Sequence, residues 1–374
     1  MLNKVNKVTA NSAWMVRGGT LALGLALLVG GCSSGKNNMM LTGLGGSGQG
    51  GAGGAGVDSG GADADMTAAK PSMGCGTAPT QTAEQYVRFA LTVTGADVPT
   101  NATDRSYYVR LPANYDPGKP YRTVYLGPGC NPPHEQCPET RHVYALEQAS
   151  GEQAILVAME AGQYNKAEYS NASCTAIGCA GTTNPCHYCF ADDAATATAS
   201  PIEYAYFDAL HKAVEAAYCV DTRRQFYAGY SSGGWMAQQL GCAFPDVLRA
   251  QGNVTGGLPP SIKNGAKTCV DHPIAALLIH DSQDASNPFQ GSVDAAARLF
   301  ALNHCGGAFT PPAINSPASY TINGFPNIAG SFNCVNYDTC PVAYPIVFCV
   351  SLGKQHLPQD TAAVPGFWQF FEMF

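Results

Sequence analysis

The sequence predicts an α/β protein with a mostly parallel central sheet and helices on both of its faces. Three observations predict it. Runs such as Ala154-Ile155-Leu156-Val157-Ala158-Met159 are apolar throughout, as strands buried on both faces must be. Other segments repeat with helical spacing, as Phe207, Leu210, Val214 and Ala217 do within 203–218. The two kinds of segment alternate along the chain, which is the pattern of a parallel sheet joined by crossover helices.

Taken in order, Thr123-Val124-Tyr125-Leu126 is a strand that runs into Gly127-Pro128-Gly129, and 154–159 is a second strand. The helix 203–218 follows. Gln225-Phe226-Tyr227-Ala228 is a strand, and Ser232 to Leu240 is a helix. Ile274–Ile279 and Tyr344–Phe348 are further strands, and 365–374 is a closing aromatic helix. The polar stretch 165–200 breaks the rhythm. It holds Cys174, Cys179, Cys186 and Cys189 and reads as a disulfide-rich surface insertion that shapes a binding site.

Composition narrows the function. The 374 residues suit one large α/β domain with tails, and a hydrophobic fraction of 45% is enough for its core. A formal net charge of −7 carries no basic footprint for nucleic acid. Fifteen cysteines point to an oxidising compartment. The N-terminus agrees: Lys4, Lys7 and Arg17 precede the short apolar run Leu21–Val29, too short for a membrane span. Leu28-Val29-Gly30-Gly31-Cys32 resembles a bacterial lipoprotein signal, with Cys32 lipidated, and Ser33 fits outer-membrane sorting. Plain secretion is the alternative. The expected organisation is a signal at 1–31, a flexible Gly/Ser/Ala-rich linker at 32–78 and a catalytic domain at 79–374. The protein is expected outside the cytoplasm, as an outer-membrane lipoprotein or extracellular. It is expected to be a monomer that meets the membrane only through a lipid on Cys32.

The chemistry centres on Gly229-Tyr230-Ser231-Ser232-Gly233, which follows an apolar strand and opens a helix. Glycines let a strand bend sharply into a helix, so that the serine projects above the sheet. A serine hydroxyl needs a base, a group to orient that base, and donors for the oxyanion. Asp284 follows the strand ending at Ile279, and His356 follows the last strand, in hydrolase order; Asp281 is the alternative acid. The N–H of Ser232 lies at a helix N-terminus and serves as one oxyanion donor. The second comes from Gly129 or Cys130. Trp235 is a candidate pocket floor, with plain core packing as its alternative. This chemistry requires no metal and no cofactor. Four thiolates from Cys174, Cys179, Cys186 and Cys189 are a zinc alternative, but export favours disulfides.

From about residue 85 onward the chain resembles the extracellular esterases grouped with polyhydroxybutyrate depolymerases, feruloyl esterases and acetyl xylan esterases of carbohydrate esterase family 1. Its most specific stretch runs from Tyr218-Cys219-Val220-Asp221-Thr222 through Phe226–Met236 to Cys242. Cys186-His187-Tyr188-Cys189, Tyr206–Leu210, His304-Cys305-Gly306 and Trp368-Gln369-Phe370-Phe371 fit as well. The resemblance implies an α/β-hydrolase fold, hydrolysis of carboxylic esters, and Ser231, Asp284 and His356 as nucleophile, acid and base. Pro128-Gly129-Cys130, Lys354-Gln355-His356 and His280-Asp281 depart from the family pattern of His-Gly-Cys, a Gly-rich approach to the histidine, and His-Gly. Cys219 and Cys242 bracket the nucleophile segment and are expected to pair. Cys340 with Cys349 and Cys269 with Cys305 are further expected pairs. The substrates to weigh are feruloyl or acetyl esters of plant polysaccharide and hydroxyalkanoate polyesters. A weakly active carbohydrate-binding protein on the same scaffold is the non-enzymatic alternative.

Overall fold

The structure is a computed structural model. It describes residues 68–374 apart from 96–97, 99–102, 130–143, 161, 164–187, 191, 194–197, 200, 264–271 and 315–331. The expected signal, Cys32 and the linker up to residue 67 therefore lie outside the described residues.

A nine-stranded sheet forms the centre. Its strands are β1 (Val87–Thr92), β2 (Asp104–Arg110), β3 (Tyr121–Gly127), β4 (Ala154–Met159), β5 (Val220–Tyr230), β6 (Leu248–Val254), β7 (Ala275–Asp281), β8 (Phe332–Asn336) and β9 (Ile346–Ser351). Their spatial order is β1-β2-β4-β3-β5-β6-β7-β9-β8. Every neighbouring pair from β4 across to β9 is parallel. Strand β2 runs antiparallel to β1 and β4, and β8 antiparallel to β9. The long helices are α1 (Pro201–Ala217), α2 (Ser232–Ala243), α3 (Phe289–Leu302) and α4 (Asp360–Glu372).

Alternation along each strand divides the core in two. Tyr227 of β5 and Leu278 of β7 join Phe207, Met236 and Leu299 of α1, α2 and α3 on one face. Phe226 and Leu277 join Phe367, Phe370 and Phe371 of α4 on the other. There the Phe226 and Phe371 rings stack at 4.7 Å, and Tyr144 meets Phe367 edge-on at 4.9 Å. Helices on both faces of a mostly parallel sheet are what the sequence predicts. Strands β1, β2, β6 and β8 and helix α3 are additions. Strand β6 buries Gln251 and Asn253, so it presents no apolar run. Helix α3 buries Ser292, Ala295, Ala296, Leu299 and Phe300 along one face.

Two short antiparallel strand pairs, Gly162–Gln163 with Tyr188–Cys189 and Asp192–Asp193 with Thr198–Ala199, border the expected insertion. The rest of it, including Cys174, Cys179 and Cys186, lies outside the described residues. Residues 70–76, which composition assigns to the linker, form a strap along the start of β5. Pro71 bridges Asp221, the Ser72 N–H donates to the Val220 carbonyl at 2.9 Å, and the Gly74 N–H donates to the Glu215 carbonyl at 2.9 Å.

The expected disulfide pairs are corrected. Cys219 bonds Cys75 of the strap, not Cys242. Cys242 is itself disulfide-bonded and faces α3, where Arg298 donates to its sulfur at 3.3 Å. Cys340 bonds Cys305 rather than Cys349, and Cys349 bonds Cys334. The reason is register: Cys334 and Cys349 are direct partners across the antiparallel β8–β9 pair, with Cα atoms 3.9 Å apart. Cys305 is thereby unavailable to Cys269, which lies outside the described residues.

One carboxylate ties the functional end of the sheet together. Asp281, the last residue of β7, is fully buried. Its Oδ1 accepts the Gln283 N–H at 2.9 Å, while its Oδ2 accepts the Ser351 hydroxyl at 2.7 Å and the Lys354 N–H at 2.8 Å. It therefore clamps the loop after β9 to the end of β7. Burial raises its pKa, but the hydrogen bonds from Ser351, Lys354, Gln283 and Gln355 outweigh that and hold it below the ordinary carboxyl value.

Two outcomes follow from this packing. A Cβ on Gly252 would strike the Phe367 ring. Gly252→Ala should cost about 1–3 kcal/mol in urea unfolding, and Phe367→Leu should recover part of it in the double variant. Because Asp281 is depressed in the folded state, its contribution is complete above the unfolded carboxyl value of about 3.9 and is lost as pH falls through the folded value. Urea unfolding at pH 6 and pH 3 should show wild type losing more stability on acidification than Asp281→Asn, with the two curves converging.

Candidate active site

Strand β5 ends at Tyr230 and α2 begins at Ser232, so Ser231 makes the turn between them. Its backbone sits at φ 54° and ψ −116°, a conformation that costs a non-glycine residue on the order of 1–3 kcal/mol. The Ser231 N–H donates to the Val254 carbonyl at 2.9 Å, and its carbonyl accepts the Trp235 N–H at 3.0 Å. Close backbone approach explains the glycines. A Cβ on Gly233 would strike the Gly127 carbonyl, and one on Gly229 would strike the Gly233 carbonyl.

Three expected residues meet here. His356 Nε2 lies 2.9 Å from Ser231 Oγ, and His356 Nδ1 lies 2.7 Å from Asp284 Oδ2. Asp284 follows β7 and His356 follows β9, and these strands are neighbours. Asp284 Oδ1 accepts the N–H groups of Ser286 at 2.8 Å and Asn287 at 2.9 Å. Its carboxyl faces opposing effects: burial raises the pKa, while hydrogen bonds from His280, His356 and Asn287 lower it far more. The group is held well below the usual carboxylate range, so it is an anion at neutral pH. An anionic Asp284 makes His356 Nδ1 the donor and leaves Nε2 free to accept the Ser231 proton. Asp281, the alternative acid, is occupied by the clamp on the β9 loop.

Sequence reasoning missed a second histidine on this carboxylate. His280 Nε2 lies 2.8 Å from the Asn287 carbonyl and 3.4 Å from Asp284 Oδ2. A carbonyl only accepts, so Nε2 carries a hydrogen. Ser292 Oγ sits 2.6 Å from Nδ1, the ring's other nitrogen. The available signal was a polar residue closing an apolar strand. Tyr230 was missed too: its hydroxyl donates to the His356 carbonyl at 3.0 Å and its ring lies 5.2 Å from the imidazole.

The Ser232 N–H opens α2 and has no helical carbonyl behind it. Gly129 lies over the turn: its Cβ, if built, would sit 3.2 Å from the Ser231 Cβ. Both expected donors thus border the serine, while Cys130 lies outside the described residues. Trp235 is half-buried, and its indole N–H donates to the Gly256 carbonyl, which fixes the ring beside the elbow. A strand-turn-helix serine, an imidazole in contact with it and a buried anion behind that imidazole form an arrangement able to perform acyl transfer.

No protein-family model matches the chain. It is similar to the probable feruloyl esterase C of Aspergillus niger, at 34% identity over 117 residues, covering 31% of this chain and 40% of that protein. It is 26% identical over 273 residues to the probable feruloyl esterase C of Aspergillus flavus, covering 72% and 84%. With feruloyl esterase D of Neurospora crassa it shares 25% identity over 317 residues, covering 83% and 92%. Among solved structures it is similar to a CE1 ferulic acid esterase from Anaeromyces mucronatus in complex with ferulic acid, at 13% identity and a TM-score of 0.45, covering 80% of this chain and 95% of that one. The chain is thus similar to feruloyl esterases over most of its length, and its mostly parallel sheet and strand-turn-helix at Ser231 match the fold expected from the sequence.

Proposed function

We propose that this protein is an exported serine carboxylic-ester hydrolase that acts on feruloyl or acetyl esters of plant polysaccharide. The hydrogen-bond chain from Ser231 through His356 to Asp284 carries the reading. Ser231 Oγ attacks the ester carbonyl carbon as its proton passes to His356 Nε2. The N–H groups of Ser232 and Gly129 receive the oxyanion. Collapse expels the alcohol, which takes the proton from His356 and leaves an acyl-serine. Water then repeats the sequence, releasing the acid and restoring Ser231. The names of the relatives support the feruloyl choice. Export is supported by Cys75–Cys219, Cys305–Cys340 and Cys334–Cys349, since disulfides persist in oxidising compartments. A lipid on Cys32 and the Gly-rich segment after it would tether the catalytic domain to an outer membrane.

Ser231→Ala should lower turnover of p-nitrophenyl acetate and methyl ferulate by on the order of 10⁶ in kcat. A variant as active as wild type would sink the enzyme reading. Methyl ferulate and acetylated xylan should be cleaved faster than hydroxybutyrate oligomers; the reverse ranking would favour a polyester substrate. Asp284→Asn should cost about 10⁴ in kcat with the fold intact. Its oxygen must stay with the Ser286 and Asn287 N–H groups, so its amide would face His356 Nδ1. That forces the imidazole hydrogen onto Nε2, where it cannot accept from Ser231. Near-normal kcat in this variant would remove Asp284 from the proposed triad.

A further inference from the structure

Behind the Ser231–His356–Asp284 chain stands a second histidine that takes no part in the proton transfers. His280 is the penultimate residue of β7 and is fully buried. Both of its ring nitrogens are engaged. Nε2 lies 2.8 Å from the Asn287 carbonyl and 3.4 Å from Asp284 Oδ2, and Nδ1 lies 2.6 Å from Ser292 Oγ of α3. The ring meets Phe289, the first residue of α3, edge to face at 5.8 Å. Since a carbonyl only accepts, the Nε2 hydrogen lies between Asn287 and Asp284 Oδ2. Nδ1 of the neutral ring is then an acceptor, and the Ser292 hydroxyl is its donor.

The rest of the carboxylate's surroundings call for such a donor. Asp284 Oδ1 is held by the N–H groups of Ser286 and Asn287, which belong to its own loop. The terminal torsion of an aspartate is broad, so donors that travel with the loop leave the carboxylate's aim at His356 loosely set. His280 belongs instead to β7, which is paired with β6 on one side and β9 on the other. Its Nε2 hydrogen reaches the same oxygen that His356 Nδ1 contacts at 2.7 Å. Asn287 completes the tie. Its side-chain N–H donates to the Thr255 carbonyl at 2.7 Å, just past β6, while its own carbonyl faces His280. The acid is thus fastened to the sheet through two strands. Burial raises the Asp284 pKa, and the hydrogen bonds from His280 and His356 lead those that overcome it.

We propose that His280 is a positioning residue for the hydrolysis: as the neutral Nε2–H tautomer it fixes Asp284 Oδ2 against His356 Nδ1, and so sets the aim of His356 Nε2 at Ser231. It acts through Asp284. Ser292 assists from α3, because a ring nitrogen that accepts a hydrogen bond resists taking a second proton. No second cation then competes for Asp284 with the imidazolium that His356 becomes on receiving the Ser231 proton. The proposal rests on Ser231, His356 and Asp284 being the reacting chain.

Two substitutions in the full chain separate this task from filling the core. A glutamine amide nitrogen takes the place of imidazole Nε2, whereas an asparagine amide reaches only the Nδ1 position, on the Ser292 side. Both delete the ring and should lower the urea midpoint alike. With methyl ferulate, His280→Asn should lower kcat by roughly 10- to 100-fold, the value of a hydrogen bond to a charged group, and leave KM within roughly twofold. His280→Gln should keep kcat within roughly threefold of wild type, since it retains the donor. Equal kcat in the two variants, or a loss confined to KM, would overturn the proposal. Where a variant does not fold, wild type decides. Nitrogen-15 NMR of histidine-labelled wild type at neutral pH should show His280 protonated at Nε2 alone and His356 at Nδ1 alone. A hydrogen on His280 Nδ1 alone would leave Asp284 without this donor and end the proposal. Wild type that hydrolyses no ester would instead sink the esterase reading, so the two failures are distinct.

Discussion

The fold depends on how closely β3, β5 and the first turn of α2 approach one another. Gly229 and Gly233 place backbone against backbone with no room for a Cβ, and one on Gly127 would strike the Tyr227 side chain. That contact allows a strand to reverse into a helix within one residue and puts Ser231 at positive φ. The strain is sustained by the surroundings. The parallel neighbour β6 supplies the carbonyl that takes the Ser231 N–H, and α2 returns over the sheet to bury Met236, Ala237 and Leu240. The serine is thus exposed to chemistry because everything around it is packed without slack. An elbow of this kind stores local strain against the stability of the whole sheet.

The same arrangement gives the domain two unlike ends. At the C-terminal ends of the parallel strands, loops after β3, β5, β7 and β9 converge on Ser231. At the opposite end, the strap is fastened to the start of β5 by Cys75–Cys219 and by ladder-like hydrogen bonds. A disulfide enclosing 144 residues of chain separation constrains the unfolded state strongly, by about 4–5 kcal/mol in the chain-entropy account. Its position explains its partner. Cys219 stands at the strap-facing edge, whereas Cys242 faces α3, so proximity in sequence to the elbow did not decide the pairing.

Much of the site was legible because its parts follow strands that announce themselves. The runs before Asp284, His356 and Ser231 are apolar, buried on both sides and therefore visible as hydrophobic blocks. Strand β6 escaped because its buried Gln251 and Asn253 read as surface residues, although Asn253 serves to accept the Gly256 N–H at 3.0 Å. Helix α3 was legible in principle, since Ser292, Ala295, Ala296, Leu299 and Phe300 recur at helical spacing on its buried face, but the sequence reading did not use that stripe. The cysteine pairs were illegible for a different reason. Pairing depends on strand register and on which face a side chain takes, and spacing along the chain encodes neither. Asp281 and Asp284 were separable only in part, since both follow the same strand and only geometry divides their tasks.

That division of tasks is the last step in how the site works. Two carboxylates three residues apart, both buried, would repel if both pointed at His356. Instead Asp281 turns its oxygens to Ser351, Gln283 and Lys354, and so fixes the chain leading to His356. Asp284 turns one oxygen to two backbone N–H groups and the other to the imidazole. His280 stands beside that second oxygen with its Nε2 hydrogen shared towards Asn287. A carboxylate with each oxygen claimed in this way keeps its charge and its direction. The imidazole in front of it is then held with Nδ1 on the carboxylate at 2.7 Å and Nε2 turned to Ser231 Oγ at 2.9 Å. The position of that residue is fixed by the elbow, and the position of the imidazole by Asp281 from below and by the Tyr230 hydroxyl on its carbonyl. Residues outside the Ser231–His356–Asp284 chain thus set the distance between Ser231 and His356.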